Sequence, residues 1–161
     1  MAFNQIIIIV NGDDNRVYKR KSNKLIIGKK ENKLIEEDYT LLQTDFKSVD
    51  DFVKANQIIK KQASPIDEFI IINKNINLNM ISYQHDYSFI SDNYLILTNL
   101  FFFINLLIPN FNKKLNFILS FENKNHYKIH TNIFNQSIIN YLKTFKKDLK
   151  ESYSIIIKKL N

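Results

Sequence analysis

The 161-residue sequence contains no cysteine, which excludes disulfides, thiolate metal sites and a cysteine nucleophile. Glycine and proline occur only twice each, so turn punctuation is scarce and element boundaries have to be read from periodicity and capping residues. Neither Gly12 nor Gly28 belongs to a Gly-x-Gly-x-x-Gly or Walker-type segment, so the common phosphate-cradling signatures are missing. No apolar run is long enough to cross a bilayer. The longest, Tyr94 to Ile108, is broken by Thr98, Asn99 and Asn105, whereas about 20 apolar residues are needed. Met1 to Val10 has neither the cationic start nor the small-residue cleavage site of a signal peptide. A cytoplasmic or otherwise intracellular location is expected.

Isoleucine, asparagine and lysine dominate what is present, with 27, 22 and 21 copies, while arginine appears only as Arg16 and Arg20. All three abundant residues have A/T-only codons, so an A+T-rich genome is the simplest source of the bias. That weakens the inference from a net charge of +7 to a nucleic-acid or acidic partner. With 45% hydrophobic residues, including 13 Phe and 8 Tyr, the chain has the material for one domain of ordinary size with its own core.

Phe3 to Val10 is apolar and β-branched, and the four consecutive isoleucines Ile6 to Ile9 do not alternate with polar residues. Such a strand is buried on both faces and central in its sheet. Asn11-Gly12 then reads as a hairpin turn, with Arg16 to Arg20 returning as a second strand and Lys24 to Gly28 as a short third. Ser48 followed by Asp51 resembles a capping box opening a helix over 48–62, with Val49, Phe52, Val53, Ala55 and Ile59 on its apolar face. Glu68 to Asn73 is another isoleucine-rich strand, and Ile76, Leu78 and Met80 alternate with asparagines as a strand with one wet face. Leu95 to Ile108 reads as a buried helix ended by Pro109, although its Phe-rich middle also suits a strand. Leu115 to Phe121 and Tyr127 to His130 suggest a hairpin. Phe134, Ile138, Leu142, Phe145 and Leu149 recur at helical spacing. Beyond them, Ser154 to Lys158 reads either as a continuation of that helix or as a final strand.

These elements predict a single compact α+β domain: a mixed or antiparallel sheet packed against about three helices, with 131–161 as a protruding C-terminal helical element. Interspersed hairpins favour this over a strictly parallel array.

Chemistry-bearing residues are few. His126 and His130 are four apart, as metal-binding helical pairs can be, but their segment reads as strand and no third ligand is near. His85 precedes Asp86 without an arrangement that would orient an imidazole. Glu36, Glu37 and Asp38 suit a solvated face, Asp50 and Asp51 a helix start, and Asp13 and Asp14 a turn. No metal, cofactor or catalytic residue is assigned on these grounds. The one notable cluster is basic: Arg16, Tyr18, Lys19, Arg20, Lys21 and Lys24. They are candidate contacts to nucleic acid or to an acidic partner, with Tyr18 as a stacking platform. By elimination, the expected function is a non-enzymatic, intracellular assembly subunit acting through a protein partner or as a homo-oligomer. A nucleic-acid-binding module using the basic hairpin is the first alternative, and a small histidine-dependent enzyme the second.

Overall fold

The computed structural model describes residues 3–12, 14–18, 23–28, 39–61, 65–74, 86–121 and 129–160. Among the described residues, six strands form one sheet: Gln5–Asn11 (β1), Lys24–Gly28 (β2), Tyr39–Gln43 (β3), Ile66–Asn73 (β4), Phe111–Phe121 (β5) and Ser154–Leu160 (β6). Four α-helices among the described residues are interleaved with them, Asn15–Tyr18 (α1), Val49–Lys60 (α2), Asp86–Leu106 (α3) and Ile129–Asp148 (α4), with a 3-10 turn at Ile108–Asn110 before β5. The strand order is β3-β2-β1-β4-β5-β6, and all five neighbouring pairs are parallel. This is the order of a doubly wound, Rossmann-like α/β fold.

The expected mixed or antiparallel α+β sheet is therefore corrected to an all-parallel one. Its cause is visible in β1. Ile6, Ile7, Ile8 and Ile9 are all buried, so the strand excludes water on both faces, and sheets buried in this way are characteristically parallel with crossover connections. Asn11-Gly12 does turn the chain, with Gly12 at φ +77°, but it leads into α1 rather than back along a hairpin. Arg16 to Tyr18 are helical. The second expected hairpin also fails, since Ile129 and His130 form the first turn of α4. Residues 131–161 contribute α4 and β6, the latter paired along β5 from Lys114↔Ser154 to Ser120↔Leu160. The expected wet-faced strand from Ile76 to Met80 lies outside the described residues.

Period-two alternation divides the strand side chains between two cores. Ile6, Ile8, Phe69, Ile71, Phe117 and Leu119 face one side, where they meet α2, α3 and α4. Ile7, Ile9, Ile26, Ile70, Ile72 and Ile118 face the other, where Val17 of α1 packs on them. Phenylalanines weld the first core. The Phe69 ring lies 5.6 Å from that of Phe117 and 6.3 Å from those of Phe103 and Phe111.

The helices follow their apolar stripes. Phe52, Ala55 and Ile59 of α2 are buried as expected, whereas Val49, in the first turn, is exposed and Val53 only partly buried. Ser48 stands at the N-cap but makes no side-chain capping bond. Asp51 instead accepts a 2.6 Å hydrogen bond from Thr44 Oγ1, and Phe46 N donates to the same hydroxyl. This network holds Phe46 at φ +64°, a left-handed conformation rare for a bulky residue. Asn99 Nδ2 of α3 donates to the Phe46 carbonyl at 2.9 Å, tying the turn to the helix layer. At the opposite end of the sheet, Gln5 Nε2 donates to Glu68 Oε2 at 2.6 Å across the start of β1 and β4.

Truncating Phe69 to alanine should destabilise the fold by about 3–5 kcal/mol through the cavity left among its ring neighbours. Ile156→Ala, at a half-exposed edge position, should change stability by no more than about 0.5 kcal/mol. Urea unfolding of both variants checks the contrast.

Candidate functional site

In open parallel sheets, ligands bind outside the carboxyl ends of the strands where the strand order reverses. Here that point lies between β1 and β4, and the polar residues that end each apolar run converge on it. Gly12 and Asp14 follow β1, Asn73 and Lys74 end and follow β4, and Ser120 lies near the end of β5.

Asp14 is the centre of the site. Its side chain is 3% exposed, yet both carboxylate oxygens are engaged. Oδ1 accepts from Arg16 N at 3.1 Å and Arg16 Nε at 2.9 Å. Oδ2 accepts from Arg16 Nη2 at 2.8 Å, Lys74 Nζ at 2.8 Å and Ser120 Oγ at 2.5 Å. The Arg16 side chain beside Asp14 holds the carboxyl well below the usual carboxylate range, with help from Lys74 and Ser120 and against the opposing effect of burial. The group is therefore an anion at neutral pH, held between two cationic partners. Arg16 is half-exposed and Lys74 partly so, so both cations reach solvent while the carboxylate does not.

Gly12 is required by its surroundings as well as by its φ. A Cβ there would lie 2.2 Å from the Lys74 carbonyl oxygen, a distance no side chain can occupy. The absence of that atom lets the turn after β1 lie against the residue after β4. A further tie comes from Asn73, whose Nδ2 donates to Asn135 Oδ1 of α4 at 2.7 Å within the buried interior. Asn73 and Asn135 thereby fix the start of α4 beside the crevice.

The sequence candidates separate. Arg16 is in the site, but Lys24 begins β2 at the opposite, amino edge and is buried. Arg16 and Lys24 therefore do not share a surface. Tyr18 closes α1, while Lys19, Arg20 and Lys21 lie outside the described residues, as do His85 and His126. His130 is in the first turn of α4. Among the described residues, no group of three or more His, Cys, Asp or Glu could hold a metal ion. Sequence reading assigns Asp14 to turn chemistry and does not single out Lys74, Ser120, Asn73 or Asn135. Their common signal is position: Asn73 and Ser120 are polar residues placed where a buried, otherwise apolar strand ends.

Because folding lowers the Asp14 pKa, its stabilisation is complete above the unfolded value, about 4, and is lost as pH falls below it. Wild type should melt above Asp14→Asn at pH 7, and the gap should narrow between about pH 4 and pH 2. A gap that stays constant over that range would contradict an ionised, paired carboxylate.

No protein-family model matches the chain, and no curated protein matches it in sequence. Solved structures do. A short-chain dehydrogenase family protein from Francisella tularensis superposes with a TM-score of 0.74 at 14% identity, covering 98% of this chain and 68% of its own. A 3-ketoacyl-(acyl-carrier-protein) reductase from Brucella melitensis, complexed with NADH, gives 0.66 at 13% identity, covering 99% and 75%. A short-chain dehydrogenase from Burkholderia cenocepacia, in complex with NADP, gives 0.63 at 12%, covering 98% and 72%. These neighbours overturn the expectation of a non-enzymatic assembly or structural subunit. The chain shares the Rossmann-like fold of these short-chain dehydrogenases.

Proposed function

We propose that the chain is an oxidoreductase of the short-chain dehydrogenase kind, binding a nicotinamide dinucleotide across the carboxyl ends of β1 and β4. The observation that carries this reading is the cation pair of half-exposed Arg16 and partly exposed Lys74, set around Asp14 at the point where the strand order reverses. Support comes from the neighbours solved with NADH and NADP.

The fit to such a cofactor is made by side chains rather than by a glycine cradle. In the dinucleotide fingerprint, three glycines serve the tight turn, the approach of pyrophosphate to backbone, and helix packing. Only the first is present, as Gly12; the others correspond in spacing to Asp14 and Val17. Val17 is buried against the second core, which meets the packing requirement without glycine. The phosphate charge would fall to Arg16 and Lys74, since charge-assisted hydrogen bonds from guanidinium and ammonium groups suit phosphate oxygens. Asp14 orients both cations, and Ser120, by donating its proton to Asp14, holds the end of β5 against the same cluster. When bound, the nicotinamide supplies hydride exchange with a carbonyl or alcohol substrate. An intracellular location belongs to the same reading.

Titration with NADH and NADPH, followed by nicotinamide fluorescence and thermal shift, tests it. Saturable binding should appear below about 1 mM, and the Arg16→Ala, Lys74→Ala double variant should weaken it at least about tenfold. Absence of binding by the folded wild type would refute the proposal.

The helix layer favours self-association as part of this reading. In a chain that is 24% charged, Asn93 to Asn112 contains no charged residue, nor does Thr131 to Leu142. These segments lie in adjacent helices, with Phe101 of α3 stacked on Tyr141 of α4 at a ring distance of 4.0 Å. Burial pushes the Tyr141 phenol up to about 12, so it remains a neutral donor. Tyr94, Leu95, Phe102 and Ile133 are nevertheless exposed. An uncharged face with projecting apolar groups suits the two-fold packing of a second copy. Light scattering should show a dimer or larger for the wild type and a monomer for Phe102→Glu combined with Ile133→Glu; a monomeric wild type would rule out this interface. Among the described residues, no helix is long and apolar enough to cross a membrane.

A further inference from the structure

We infer that Asp14 is a built-in anion: its carboxylate takes, from within the chain, the place between Arg16 and Lys74 that a ligand phosphate would otherwise occupy, and so limits how tightly the crevice holds diphosphates. This deepens the proposed dinucleotide-binding function and rests on it.

The donor set around Asp14 has the chemistry of a phosphate site. A guanidinium, an ammonium and a hydroxyl converge on the single oxygen Oδ2, from Arg16, Lys74 and Ser120. The chain brings them from α1, from the residue after β4 and from β5, although a salt bridge alone would need only one cation. The carboxylate is buried while Arg16 remains half-exposed. It is thus the inner anion of a cluster whose cations also reach solvent. Its position two residues after Gly12 is the one where the dinucleotide fingerprint has a glycine, so that backbone can approach pyrophosphate. A side chain bearing negative charge at that place opposes an incoming anion by repulsion and already engages the groups that would bind it. An external diphosphate therefore has to share or displace the Asp14 contacts.

Neutralising the carboxylate should expose the site. Calorimetric titration with inorganic pyrophosphate, at one low ionic strength, would compare wild type with Asp14→Asn and with Asp14→Ser. Both variants should bind at least about tenfold more tightly than wild type, with affinity falling as salt is added. Adding Arg16→Gln to Asp14→Asn should remove the gain. Variants that melt cooperatively but bind pyrophosphate no better than wild type overturn the inference. Failure of both substitutions to fold overturns it too, because the carboxylate would then be a structural requirement and not a stand-in for a ligand.

A parallel titration with NADPH separates this inference from the function it deepens. A pyrophosphate gain, with dinucleotide bound by no form of the protein, keeps the Asp14 assignment and removes the proposed activity. Equal dinucleotide binding by wild type and variants, without a pyrophosphate gain, does the reverse.

Discussion

Ile6 to Ile9 are shielded from water on both faces of the sheet, so β1 needs a strand on each edge and cover on each side. Parallel pairing with β2 and β4 meets the first requirement. Crossover connections follow, because a parallel neighbour cannot be reached through a tight turn. Once every strand runs the same way, the turns leaving them gather along one edge of the sheet. The crevice between β1 and β4 is thus a by-product of burying an isoleucine run. Function then depends on which polar residues stand at the ends of those runs.

At that edge, electrostatics does the organising. Asp14 is inaccessible to solvent, and a buried carboxylate is tolerated only when its lone pairs are met. Arg16, Lys74 and Ser120 meet them and in doing so join three strand ends into one rigid group. The arrangement departs from the usual glycine-lined phosphate loop, in which backbone amides carry recognition. Side-chain cations held by an internal carboxylate provide a differently tuned surface. Gly12 retains a purely steric role, giving the Lys74 carbonyl the space that a Cβ would fill.

Much of the core is legible in the residue pattern. The two-face burial of β1, the apolar faces of α2 and α4, and the strand character of Glu68 to Asn73 all follow from residue spacing. Strand direction is not legible, because Asn-Gly supports positive φ equally well in a hairpin and in a turn entering a helix. Gly12 adopts the expected φ, and only the long-range pairing of β1 with β4 shows which turn it makes. The site is hidden for a related reason. Asp14, Lys74 and Ser120 are separated by up to 106 positions, and each taken alone looks like an ordinary loop or strand residue. Lys24 groups with Arg16 in the sequence but not in space, because nearness along the chain says nothing about which edge of a sheet a residue occupies.

Isoleucine-rich strands also create a problem of alignment. Ile6 to Ile9 and Ile70 to Ile72 present nearly the same apolar surface at every step, so sliding one strand past the other would cost little hydrophobic contact, unlike strands with one wet face, where a shift exposes the core side. The two polar clasps at opposite ends of this pair therefore acquire a second meaning. Gln5 with Glu68 at one end, and Asp14 with Lys74 at the other, can close together in only one alignment. In a chain whose composition has drifted toward a few interchangeable residues, these bonds act as index marks that select a single pairing from several of similar energy. The charged centre at the carboxyl ends of β1 and β4 is thus also one of the points by which the sheet fixes its own register.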